Sequence, residues 1–164
     1  MFRAIPIFVV TAAILVATIS VAASGLASGG AAASKVRVII SEQGRSEPLP
    51  QRGTFVLEGA AGRDSGTTRL SVGLEPHAVR DGQSFQRVSA TEILSGKKGV
   101  LPLAWNSVRV DVGGVVDSIL YGTWHVVGGF GTGVYKGWTG SGRLAATENG
   151  NRYTIRFEGL VTRG

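Results

Sequence analysis

The sequence predicts an all-β protein, an eight-stranded antiparallel barrel that follows an N-terminal signal peptide. Three observations predict it. Glycine supplies 25 of the 164 residues, about twice its usual ~7% share and without the strict period of collagen, so the chain turns often. Strand-like runs recur between Gly, Asn and Asp, and no stretch after Gly53 keeps a helical period over three turns. The first 34 residues are of a different kind, with Arg3 as their one charge.

That opening segment runs from Arg3 through the apolar stretch Ile5 to Val21 into the small-residue stretch Ala22 to Ser34, the three-part layout of a secretory signal. Cleavage needs small side chains three residues and one residue before the scissile bond. Val21 with Ala23, Gly25 with Ala27, and Ala31 with Ala33 all qualify. An uncleaved membrane anchor competes with this, because Ile5 to Ala23 comes close to spanning the ~30 Å hydrocarbon core. Thr11, Thr18, Ser20 and the Ala/Ser/Gly tail favour removal. A lipoprotein anchor is excluded by the absence of cysteine. The expected location is therefore extracytoplasmic, secreted or at the cell envelope.

The leader takes residues 1–34. Residues 35–52 read as an extended leader or linker: Lys35 to Ile40 is a short apolar strand or leader, and Ser41 to Arg52 carries Pro48 and Pro50. The barrel domain is expected over residues 53–164. Its eight strand candidates are Gly53 to Ala60, Thr67 to Leu74, Gln83 to Leu94, Gly99 to Val112, Leu120 to Val127, Val134 to Trp138, Gly142 to Thr147 and Arg152 to Thr162. The last has the clearest alternation, with Tyr153, Ile155, Phe157, Gly159 and Val161 on one face and Thr154, Arg156 and Glu158 on the other. Asn149-Gly150-Asn151 before it signals a hairpin. Gly99 to Val112 changes phase midway, from Leu101 and Leu103 to Val108, Val110 and Val112, which a β-bulge near Asn106 would reconcile. Closure into a barrel removes the unpaired edges that eight such strands would otherwise leave.

Charge and chemistry exclude several function classes. The net charge is +6, or +5 once Arg3 leaves with the signal, but the basic residues are scattered and the longest run is Lys97-Lys98. Nucleic-acid binding needs a clustered patch, so the expectation is a weak, salt-sensitive attraction to an anionic envelope. Without cysteine there is no disulfide, thiolate or cysteine-ligated metal, and His77 and His125 lack the spacing of a metal pair, so no metal and no cofactor is expected. No Gly-x-Ser-x-Gly elbow marks a hydrolase. Glu58, Glu92, Asp111 and Glu158 fall on strands and are expected to face solvent opposite arginines; Glu92 and His125 are the two candidates for an ionisable group inside the barrel.

Gly122 to Leu144, GTWHVVGGFGTGVYKGWTGSGRL, is the most distinctive stretch. It has no Gly-Lys-Ser/Thr end for a phosphate loop, and Gly140-Ser141-Gly142 lacks the strand-loop-helix setting of a dinucleotide site. Its order is Trp124-His125-Val126-Val127-Gly128-Gly129, then Gly131-Thr132-Gly133-Val134-Tyr135-Lys136-Gly137, then Gly140 and Gly142. That order resembles the signature of plant allene oxide cyclases and dirigent proteins, and of small secreted bacterial proteins like them, over roughly the last 45 residues. The resemblance implies an antiparallel barrel of the allene oxide cyclase type. It also implies an interior that holds a mainly apolar compound.

The aromatic residues Trp105, Trp124, Tyr135 and Trp138, with His125, are the candidate ligand-binding residues, since an eight-stranded barrel can just fill its interior or leave room for one small ligand. An apolar lining suits a lipid-like, terpenoid or aromatic compound. The functional expectation is a secreted or envelope-associated barrel that binds a small apolar ligand or a surface component. The alternatives are a cyclase- or dirigent-type enzyme that steers a reactive apolar intermediate, and a structural or interaction domain with a filled core.

Overall fold

The computed structural model describes residues 32–43, 51–59, 61–114 and 116–164. The leader expected over 1–34 lies outside them except for its last three residues, as do Pro48 and Pro50. The described chain forms β1 (Ser34–Gln43), β2 (Gln51–Gly59), β3 (Asp64–Leu74), β4 (Ala78–Arg80), β5 (Gln83–Gly96), β6 (Gly99–Asp111), β7 (Ser118–Val126), a 3-10 turn (Gly133–Tyr135), β8 (Trp138–Asn149) and β9 (Arg152–Arg163). All pairings are antiparallel. β1, β2, β3, β5, β6, β7, β8 and β9 close into an eight-stranded barrel, with β9 returning to β1 and β4 attached outside to β5.

Alternation puts the core inside the ring. Ile40 stands opposite Phe55 on one side and Ile155 on the other, and Val38 stands opposite Leu57 and Phe157. All six are at most 3% exposed, and full burial of each such side chain contributes about 1.5–3 kcal/mol. On β9 the alternation matches the sequence: Ile155, Phe157 and Val161 are buried, while Arg156 and Glu158 are exposed. Outside, Glu158 meets Arg37 at 3.2 Å and also Arg156.

Three expectations need correction. Of the two readings of Lys35 to Ile40, strand or leader, the strand holds, but it lies in the barrel and not ahead of it: Ser34–Gln43 is paired on both edges, before the expected start at Gly53. Its apolar face, Val36, Val38 and Ile40, is only half of a short run, which is why it reads weakly alone. Val134 to Trp138 is no strand, because Gly133 at φ 60° and Gly137 at φ 76° turn the backbone and send Tyr135 inward. The count of eight therefore survives with different members.

The bulge near Asn106 is absent too: the registers of β6 with β5 and with β7 run unbroken across it. The phase change has another cause. Leu101, Leu103, Trp105, Ser107, Arg109 and Asp111 all share the inner face, but the last three are polar. On the outer face Val110 lies opposite Phe85 and Ile119, and Phe85 in turn lies opposite Ala78 of β4. The polarity of the two faces exchanges while the strand stays regular. A bulge does occur elsewhere: between the Leu74/Val88 and Ala78/Phe85 pairs, three residues (75–77) oppose two (86–87).

Candidate ligand site

We call the end of the barrel with the β2–β3 and β5–β6 turns the upper end. The segment after β7 folds over it. The Thr132 amide donates to the Val100 carbonyl at 2.9 Å, and the Val100 amide donates to the Thr132 hydroxyl at 3.0 Å. The Val134 amide donates to the Lys98 carbonyl at 3.0 Å. These bonds place the glycine-rich turn on the β5–β6 hairpin and drop Tyr135 into the barrel mouth.

There Tyr135 is 1% exposed. A buried phenol needs a partner, and its hydroxyl donates to Oδ2 of Asp64 at 2.7 Å. Asp64 also accepts from the amides of Ser65 at 2.8 Å and Lys98 at 3.3 Å. Burial by itself raises the Asp64 carboxyl, but these hydrogen bonds together outweigh it and hold the group below its usual value. Burial first, then the adjacent Asp64, pushes the Tyr135 phenol well up. The Tyr135 and Trp138 rings meet edge to face, with centroids 5.0 Å apart.

Beside this cap lies a half-open pocket of about 300 Å³. Ala61, Val134, Trp138 and Val161 form its apolar wall, and Ser34 and Arg163 are among its polar lining. It brings the first and last strands of the barrel together with the glycine-rich turn.

The five candidate residues are thus distributed over three places. Tyr135 and Trp138 form the cap, and Trp138 lines the pocket. Trp105 and Trp124 are cross-strand neighbours on the inner wall, both nearly fully buried. Trp124 donates from Nε1 to the Glu158 carbonyl at 3.2 Å and meets Phe157 edge to face at 6.3 Å. Gly159 makes room for it, since a Cβ there would lie 2.7 Å from Trp124 Cζ2. His125 sits on the outer wall, exposed, one residue along a strand from the inward Trp124.

Among the carboxylates, Glu158 and Glu58 face solvent as expected, Glu58 opposite Arg37. Glu92 does not: it is 0% exposed on the inner wall between Leu70 and Leu103. Asp111 turns toward the lower mouth beside Arg109 at 3.4 Å. Asp64, the partner of Tyr135, was invisible in the sequence, where it is one polar residue in the turn Gly62-Arg63-Asp64-Ser65. The usable signal was indirect: a buried tyrosine demands some acceptor.

Comparison of the chain with protein-family models, with curated proteins and with solved structures gives no match.

Proposed function

We propose that this chain is an exported barrel protein of the secreted or cell-envelope compartment that binds a small, mainly apolar ligand without transforming it, on a barrel of the allene oxide cyclase type. One observation carries the binding proposal: the pocket of about 300 Å³ at the upper end, a volume at the lower bound for small-molecule sites, which are mostly apolar with few polar groups. Trp138, Val134 and Val161 would take the apolar body, and Arg163 a polar end. The leader layout supports export. Removal of residues 1–34 would take from the barrel strands only Ser34, the first residue of β1, and leave the strand's pairing from Lys35 onward.

A second proposal, a barrel enzyme steering a reactive intermediate, has one observation in its favour, the burial of Glu92 on the inner wall. A Glu92→Gln variant that keeps its ligand but no longer transforms it would favour the enzyme.

The deciding experiment is native mass spectrometry of protein purified from its own host, followed by tryptophan fluorescence titration with fatty acids and terpenoids. A co-purifying small molecule is expected, with quenching that Val134→Glu abolishes. No bound compound and no quenching by any of these would leave the filled, structural barrel.

A further inference from the structure

Basic residues that lie scattered along the sequence are gathered by the fold. Lys35 is the second residue of β1, Arg63 lies in the β2–β3 turn, Lys97 and Lys98 form the β5–β6 turn, Lys136 follows the 3-10 turn and Arg163 ends β9. All six therefore stand at the upper end. All but Lys98 are exposed, and Lys98 turns its Nζ onto the Ala61 carbonyl. Among the described residues, no carboxylate pairs with any of the six. The acidic residues of this end do not offset them. Asp64 is 4% exposed and bound by Tyr135, and Glu58, on the outer wall, lies opposite Arg37.

One segment of this end stands clear of the barrel. The Val127 amide donates to the Pro102 carbonyl at 3.0 Å and the Thr132 amide to the Val100 carbonyl at 2.9 Å, so Gly128-Gly129-Phe130-Gly131 loops outward between two anchors on β6. A Cβ on Gly128 or Gly129 would meet nothing within 4 Å. Phe130 is 71% exposed, and Val134, just past the second anchor, 37%. A single exposed apolar residue is ordinary. What singles out Phe130 is its place on a projecting loop at the end where unpaired cations collect.

Cations around a projecting aromatic ring complement a bilayer with anionic headgroups, because the cations meet its negative surface potential while the ring enters the boundary between headgroups and acyl chains. A soluble polyanion would use the cations and leave Phe130 in water. We propose that the upper end of the barrel is a docking face for an anionic phospholipid bilayer, on which Arg63, Lys97, Lys136 and Arg163 contact headgroups and Phe130 inserts.

The test sediments the protein, purified from its own host, with vesicles of equal parts phosphatidylglycerol and phosphatidylcholine, and with vesicles of phosphatidylcholine alone. Binding to the first, little to the second, and loss of binding in high salt are expected. Lys97→Gln with Lys136→Gln should weaken binding by about fivefold for each charge. Arg69→Gln with Arg87→Gln, which removes the same charge from the exposed side wall, should change it little. Phe130→Ala should weaken binding about tenfold. The emission gained by Phe130→Trp should be quenched by lipids brominated along their acyl chains, since Trp105, Trp124 and Trp138 are buried. Neither change at this open position should lower the unfolding temperature. The proposal is overturned if the mixed vesicles carry down no protein, if the wall pair matters as much as the rim pair, or if Phe130→Ala binds unchanged and bromine leaves the Phe130→Trp emission unquenched. That last result together with binding to soluble polyphosphate would make the partner an anionic polymer instead. Phe130 does not line the upper pocket, so Phe130→Ala leaves the fatty-acid and terpenoid titration unchanged, and the two proposals fail separately.

Discussion

The Tyr135 hydroxyl donates a 2.7 Å hydrogen bond to Asp64, a residue 71 positions earlier in the chain. The bond joins the glycine-rich turn to the first residue of β3 and closes the upper end of the barrel. Because Asp64 is 4% exposed, removing the donor leaves a buried carboxylate one hydrogen bond short. Tyr135→Phe should therefore destabilise the protein by about 1–3 kcal/mol in urea unfolding at pH 7.

The same pair sets an acid limit. Asp64 is held below its usual value in the folded chain, so its contribution is present above the unfolded value of about 4 and is lost as pH falls through the depressed folded value. Tyr135→Phe removes one cause of that depression. Its stability should fall less steeply below pH 4 than that of the parent, as measured by urea midpoints at pH 5, 4 and 3. Parallel curves would mean that Asp64 is held by the backbone amides alone.

An alkaline limit follows from the other partner. The folded Tyr135 phenol is pushed up, so the unfolded chain loses this proton first, near pH 10, and stability declines as pH rises beyond that. In ultraviolet titration, one of the three tyrosines should ionise only together with unfolding. Ionisation of all three before unfolding would contradict it.

Gly133 and Gly137 both have positive φ, but their surroundings differ. A Cβ on Gly133 would lie 2.1 Å from the Lys98 carbonyl oxygen, whereas one on Gly137 meets only Gly164 at 3.1 Å. Gly137→Ala should cost about 1 kcal/mol for the backbone alone. Gly133→Ala should cost clearly more, since the β5–β6 hairpin must move. Thermal unfolding of both variants checks the order.

Arg109 and Glu148, 2.9 Å apart, should behave as a partly buried pair. Losing one partner strands the other charge, so Glu148→Ala should cost about 2–4 kcal/mol, while the double variant Arg109→Met with Glu148→Leu should recover much of that. A double-mutant cycle in urea measures it. The solvent-exposed Glu158, with Arg37 and Arg156, provides the contrast, and Glu158→Gln should change stability by less than about 1 kcal/mol.

What the sequence by itself determined was local in origin. Alternation in β9, the turn residues around Gly150 and the density of glycine depend on neighbours a few positions apart, and they were enough for an all-β chain of eight closing strands. The same local logic misassigned Val134 to Trp138 as a strand, because it saw apolar residues and not the positive φ that Gly133 and Gly137 impose. It left β1 open between strand and leader, and outside the barrel, because that strand gains its stability from pairing with β2 and β9, one of them more than a hundred residues away. Only the tertiary structure decided which way each polar residue faces. Glu92 and Glu158 look alike on their strands, yet closure of the ring points one into the barrel and the other to water. The meeting of Asp64 with Tyr135, and of Arg109 with Glu148, likewise exists only once distant strands share a register, since a hydrogen bond is set by distance in space and alternation along the chain carries no record of it.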